Sequence, residues 1–227
     1  MFGFRIERVA PPWWMRILVP LIAVAVTFLV TSVLILLVGA NPVEAYYYFL
    51  VDPLSSRVSA IEVLVKSTPL LLTGAAATWA FTGGYYNIGA EGQLYAGAVA
   101  ATAIGLQMNG VSPWLAIPLI VAGGFAAGML WALTPALLKV KLAIDEVVTT
   151  LLLNSVMLFI VSALLNGPWR NPVSQWPQSP DIAAAAIFPR LLPRARLHFG
   201  FLLAIGVLLV VWFIFRYTSL GVRMKAV

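Results

Sequence analysis

The sequence predicts an all-α fold, a polytopic bundle of transmembrane helices, and three observations predict it. Of its 227 residues, 62% are hydrophobic and only 10% are charged, where a soluble domain carries about 25% charged residues. The apolar residues fall in runs of roughly twenty, long enough to cross about 30 Å of hydrocarbon. The basic residues, which give a net charge of +6, flank those runs. That distribution sets membrane topology and does not make a nucleic-acid surface.

About six spans are expected in one domain covering residues 1–227, at about 17–39, 60–82, 89–108, 113–137, 146–166 and 199–215. The first follows Arg5, Arg8 and Arg16 and runs from about Ile17 to Val38. It is long enough to span, and no convincing small-x-small cleavage site follows, so it reads as an uncleaved span. The connecting stretch "NPVEAYYYFLVDPLSS" has three consecutive tyrosines, which suits a helix lying at the headgroup level. In the second span Glu62 and Lys66 stand four apart, the spacing of a helical ion pair. The third and fourth spans carry small residues at every fourth position, Gly92, Ala96 and Ala100 in one and Gly124, Gly128, Ala132 and Ala136 in the other. Such stripes let helix backbones approach closely. The fifth span opens on Asp145–Glu146, two acids suited to a helix N-terminus, with Lys139 and Lys141 close enough to screen them. His198 precedes the sixth span and reads as an interfacial residue.

Arg5, Arg8 and Arg16 place the N-terminus in the cytoplasm. With six crossings, Lys139 and Lys141, and then Arg216, Arg223 and Lys225, fall on the same side. The loop at about 167–198 is then external, although it holds Arg170, Arg190, Arg194 and Arg196. The charge rule weakens for long loops, and this one is rich in proline.

Several chemistries have no residues to carry them. Cysteine is absent and His198 is the single histidine, so disulfides, thiolate metal sites and cysteine nucleophiles are excluded and no metal site is expected. A Walker-type phosphate loop is missing, so the chain has no ATPase site of its own. No paired-carboxylate or Ser/His constellation lies within the spans, and an intramembrane enzyme is not expected.

The polar residues that stand out lie in "GGYYNIGAEGQLYAGAVAA", residues 83–101. A charge at the bilayer centre costs about 2.5–3.5 kcal/mol even on a lenient scale, so intramembrane acids are candidates for function. Glu91 admits three readings: a turn in which it serves a helix N-terminus, a hinge lining a central pathway, or a direct substrate contact. Gly83, Gly84 and Gly89 permit irregular backbone, which membranes tolerate only where it is buried in protein or lines a cavity. Thr150 and Asn154 stand four apart on one helical face, placed for an interhelical hydrogen bond or for pathway lining.

Three stretches carry a resemblance to a known family. "KSTPLLLTGAAATWAFTGGYYNIGAEGQLYAGAVAA" resembles the segment of ABC-importer permeases for nucleosides and simple sugars that reads T-P-L-L-L-T-G and then F-N-I-G-A-E-G-Q. "KVKLAIDEVVTTLLLNSVMLFIVSALLNGPWR" is similar to that family's V-N-E-V-I-x-T-L-M-L-N segment ending in N-G-P-W, and "RYTSLGVRMKAV" to the start of its cytoplasmic coupling segment. The departures are small: Tyr86 for Phe, Asp145 for Asn, Thr82 where many members have Arg, and Met224–Lys225 in the coupling stretch. The resemblance implies a permease subunit in a bacterial cytoplasmic (inner) membrane, without cofactors of its own. Two permease subunits, identical or related, would form the pathway within membrane lipid. Separate ATPase subunits would use ATP and Mg, and a periplasmic or lipoprotein binding protein would deliver cargo, with no nucleic acid involved. It also implies further spans beyond those present, so that the chain reads as an N-terminal portion. By the same resemblance Asn87, Glu91, Gln93 and Asn154 shape the pathway, while Gly221, Arg223 and Lys225 face the ATPase. An ion-coupled secondary transporter is the alternative; it needs acids deep in the bundle, and Glu91 alone comes near that requirement.

Overall fold

The computed structural model describes residues 12–226. Arg5 and Arg8, on which the expected orientation partly rests, and Val227 lie outside the described residues. The chain divides into two compact units, one through Ala60 and one from Ile61 onward.

In the first unit, α1 (Trp13–Leu37) is a 25-residue helix with no buried residue, as a helix facing lipid all round would be. The tyrosine stretch is helical in pieces: α2 (Pro42–Tyr46), a π-helical turn over Tyr47–Val51 and α3 (Asp52–Ser55). Asn41 caps α2 by accepting from the Val43 N–H at 3.0 Å. The Tyr46 hydroxyl donates to the Phe28 carbonyl at 2.7 Å and lies 2.7 Å from Thr31 Oγ1, and its ring meets Phe28 edge-on at 4.8 Å. One tyrosine thus satisfies its polar tip on α1 while its ring stays apolar.

The second unit is built from α4 (Arg57–Thr82), whose first turn contains the unit boundary, with α5 (Ala90–Gly105), α6 (Pro113–Leu142), α7 (Glu146–Asn166), α8 (Gly200–Tyr217) and the short α9 (Ser219–Lys225). Among the described residues five helices, α1, α4, α6, α7 and α8, are long and apolar enough to cross a membrane. The expected third span is the exception. At 16 residues, α5 is about 24 Å long at the usual helical rise, short of the roughly 30 Å hydrocarbon layer. It starts one residue past the expected span and ends at Gly105, where the chain leaves the helix in a turn.

Helix ends sort onto two faces. On one, the Trp79 and Phe215 rings lie 5.2 Å apart at the ends of α4 and α8, and the Tyr86 N–H reaches Glu146 at the start of α7. Lys139, Lys141, Arg216, Arg223 and Lys225 therefore share a face, as the charge pattern led one to expect. On the other face, the Ala183 N–H donates to the Gly105 carbonyl at 3.0 Å, tying the 167–198 segment to the end of α5. There Glu62 pairs with Arg196 at 3.5 Å. The expected Glu62–Lys66 pair is not formed, because Glu62 turns away from its own helix toward that loop.

The core is made of small residues. Ala75, Ala96, Ala116, Ala183, Ala186 and Ala204 are six of the eight buried apolar side chains among the described residues. Packing here comes from backbone approach and not from bulk, as expected when lipid is as apolar as any side chain. The Gly124–Gly128 stripe of α6 packs against α5, meeting Gln93 and Gly97 there. A Cβ on Gly97 would stand 3.0 Å from the Gly124 carbonyl oxygen, and one on Gly128 would stand 3.2 Å from that of Gln93. The neighbouring stripe containing Gly92 turns instead to α7, so α5 presents small residues to two partners.

A Gly97→Val substitution has rigid backbone in its way and is expected to cost about 1–3 kcal/mol. Gly206→Ala, where nothing lies within 4 Å, is expected to be neutral or to gain up to about 1 kcal/mol. Thermal unfolding of both variants in detergent checks this; equal shifts would contradict the close α5–α6 contact.

Candidate functional site

Two features end α4 and start the irregular segment. Gly84 adopts φ +72°, a conformation glycine takes without a Cβ clash, and the chain then runs irregularly through Tyr85–Ile88. Irregular backbone among helices leaves groups without regular partners, and unpaired backbone groups are costly in a membrane. Helix α7 supplies the partners. Glu146, Thr150 and Asn154 recur every fourth residue on one face of α7 and are 4%, 1% and 7% exposed. The Tyr86 N–H donates to Glu146 Oε1 at 3.4 Å, the Ile88 N–H to Thr150 Oγ1 at 3.2 Å and the Gly92 N–H to Asn154 Oδ1 at 2.8 Å. Asn154 also donates through Nδ2 to the Ile88 carbonyl at 2.9 Å. The segment thus runs down α7 for two turns, about 12 Å.

The start of α5 is capped from elsewhere. Its N-cap residue, Gly89, has no capping side chain. Asn154 satisfies the Gly92 N–H instead, and Asn87 Oδ1 accepts from the Gly89 N–H at 2.8 Å. Asn87 and Gln93 also exchange amide hydrogen bonds, at 3.3 and 3.2 Å. The glycines of "NIGAEGQ" are needed for contact: a Cβ on Gly92 would lie 2.9 Å from Asn154 Oδ1 and 3.1 Å from its Cα.

At the rim, Lys139 near the end of α6 forms an ion pair with Glu146. Asp145 caps α7 through the Val148 N–H at 3.0 Å. Ala143 between them takes φ +53°, the left-handed conformation that commonly terminates a helix. The Tyr85 hydroxyl is buried without a hydrogen-bond partner, as is the Trp131 indole N–H beside Gly92. Burial first, and then the Glu146 carboxylate, push the Tyr85 phenol above its usual range against the opposing pull of Lys139. Tyr85 is therefore neutral at physiological pH.

Of the four residues expected to shape a pathway, the fold joins three. Asn87, Gln93 and Asn154 lie around one corner, whereas Glu91 occupies the first turn of α5 and is exposed. Gln93 reaches a cavity of about 370 Å³ between α4, α5 and α6, lined also by Leu72, Thr73, Phe125 and Met129. Sequence reasoning placed Thr150 and Asn154 on one face but missed that Glu146 begins the same stripe. The E-x-x-x-T-x-x-x-N spacing was the available signal.

The coupling residues form a second corner. Thr218 caps α9 through the Gly221 N–H at 3.3 Å. Gly221 is buried against the end of α8, where a Cβ would stand 2.6 Å from Phe215 Cα. Lys225 Nζ folds back onto the Phe215 carbonyl at 3.1 Å, as cations do at helix C-termini. Arg223 is exposed. Met224 touches the irregular segment, with its Cε 3.2 Å from the place a Cβ on Gly83 would take.

These features define a multi-pass membrane protein with a broken, side-chain-supported segment at one end of its bundle. Residues 59–227 match the family described as branched-chain amino acid transport system / permease component, and the chain belongs to that family. It is similar to the glucose ABC transporter permease protein of Haloferax volcanii, at 34% identity over 92% of this chain and 58% of that protein. It is likewise similar to the nucleoside ABC transporter permease protein of Lactococcus lactis subsp. cremoris, at 32% over 93% of this chain and 60% of that protein. The guanosine ABC transporter permease protein of Bacillus subtilis is 29% identical over 93% of this chain and 61% of that protein. The chain thus spans about three fifths of the length of these curated relatives. No solved structure gives a significant match. The family read from "NIGAEGQ" and its companion stretches is the family found.

Asn154→Leu orphans the Gly92 N–H and the Ile88 carbonyl and is expected to cost about 1–3 kcal/mol for each buried group. Asn166→Leu, at the exposed end of the same helix, should stay within about 0.5 kcal/mol of the parent. Unfolding midpoints in detergent compare the two, and equal values would contradict the trans-capping role.

Proposed function

We propose that the chain is the membrane-spanning permease subunit of an ATP-binding-cassette importer in a bacterial inner membrane. It moves nucleosides or simple sugars with ATP hydrolysed by separate subunits, and it has no catalytic activity of its own. The observation that carries the reading is the pairing of a buried polar stripe on α7 with an irregular segment, in a chain of this permease family. Gln93 and Asn87 line the pathway, Glu91 stands at its mouth, and Asn154 is a positioning residue whose amide is committed to backbone. A second permease subunit, identical or related, completes the pathway, and a binding protein delivers cargo to the face carrying the 167–198 segment.

The ion-coupled reading has less support. Glu62, Glu91, Asp145 and Glu146 all lie within the first two turns of their helices. Among the described residues no acid occupies the middle of a span, where an ion or proton relay needs one.

Coupling is assigned to α9: Arg223 meets the ATPase, Gly221 sets the corner with α8, and Met224 transmits movement to Gly83. The test is ATPase activity of the native-length protein co-purified in lipid with its ATPase and binding protein, loaded in turn with uridine, adenosine or ribose. Stimulation by one loaded cargo, lost in Arg223→Glu, is the expected result. A protein that associates with no ATPase yet moves solute down an ion gradient would contradict the proposal.

A further inference from the structure

The arginines of the 167–198 segment run against the usual charge pattern, and the fold puts two of them to a common use. Arg190 and His198 face each other in an antiparallel bridge. The Leu191 N–H donates to the Leu197 carbonyl at 2.8 Å, and the Phe199 N–H to the Pro189 carbonyl at 2.9 Å. Side chains alternate across extended backbone, so Arg196 and His198 share a face while Leu197 between them is buried. Arg190, Arg196 and His198 then line a cavity of about 290 Å³ whose remaining wall includes Ile182, Ile187 and Phe188. The His198 ring stacks on Phe188 at 6.0 Å, and its Nδ1 accepts from the Gly200 N–H at 3.2 Å. The ring is held in place, and both arginines line the same cavity.

The charge in this pocket is unbalanced. Glu62 is the one carboxylate in ion-pair contact with it among the described residues, 3.5 Å from Arg196. Arg196 is largely exposed and Glu62 half-buried, and an ion pair with one partner in water is weakly held. Two guanidiniums thus face one loosely held carboxylate, beside an apolar wall, where α8 begins at Gly200. Ile187, at 53% exposure, leaves part of that wall open to its surroundings.

We propose that this pocket binds the phosphate of an anionic phospholipid headgroup between Arg190 and Arg196. The glycerol and upper acyl chain lie against Ile182, Ile187 and Phe188. Guanidinium forks match phosphate oxygens, and clustered arginines beside a membrane attract anionic headgroups. An acidic protein surface would use the arginines but leave the apolar wall in water; a lipid covers both.

The test measures lipid retained by the native protein after extraction from bilayers of equal phosphatidylglycerol and phosphatidylcholine, by native mass spectrometry. The parent protein retains phosphatidylglycerol preferentially. The Arg190→Gln/Arg196→Gln double variant loses that preference by about tenfold or more, given what each surface charge contributes toward anionic lipid. Arg170→Gln, whose Nε is engaged by the Gln175 carbonyl in the same segment, leaves retention unchanged. If the double variant fails to fold, Ile187→Glu puts a carboxylate at the pocket mouth with both arginines intact, and the same loss is expected. Equal retention of the two lipids, or retention indifferent to these variants, would overturn the proposal. So would displacement by inorganic phosphate alone, which indicates a free-anion site. Variants that abolish binding of an acidic partner protein while lipid retention persists would assign the patch to protein docking instead.

Discussion

Backbone amides have no water to bond inside a membrane, and residues 85–89 with the first turn of α5 are the place where this chain meets that constraint without intrahelical partners. The three acceptors on α7, Glu146, Thr150 and Asn154, take the N–H groups that an unbroken helix would have paired internally. Much of the surrounding architecture follows. Helix α5 begins at Ala90, directly after the residues that α7 holds. Gly92 is bare because Asn154 must reach its backbone. Lys139 lies against Glu146 because a carboxylate this buried needs a counter-charge.

The same economy of volume runs through the bundle. Since apolar surface gains little by leaving lipid for protein, the helices associate where glycine and alanine permit close approach. Helix α5 does this toward α6 at Gly97 and toward α7 at Gly92, which leaves Gln93 between the two contacts with its amide held by Asn87. A polar group in such a position keeps one orientation. Met224 lies against Gly83, so the α8–α9 corner packs beside the start of the irregular segment.

Much of this was legible in the sequence. Span positions follow from the length of apolar runs, and the shared face of Lys139, Lys141, Arg216, Arg223 and Lys225 follows from an even number of crossings between them. Thr150 and Asn154 announced an interhelical bond by their spacing. What was not legible depends on which neighbour lies across a gap. Glu146 looked like a helix-terminus acid beside Asp145, and only the folded chain separates Asp145, the cap, from Glu146, the acceptor for Tyr86. Glu62 had Lys66 at helical spacing, yet a distant loop offers Arg196. The partner of each α5 stripe was not legible, because a row of small residues does not say which neighbouring helix it meets: Gly92 faces α7 and Gly97 faces α6.

The central claim is that α7 side chains hold the irregular segment by its amides. Hydrogen–deuterium exchange of the peptide covering residues 83–95, compared between the parent protein and Thr150→Val in lipid, tests it most directly. Loss of the single acceptor for the Ile88 N–H should speed exchange there by about tenfold, the factor matching one hydrogen bond of roughly 1.4 kcal/mol, while α4 and α8 exchange as before. Exchange unchanged in residues 83–95 would mean that the segment is held by something other than α7.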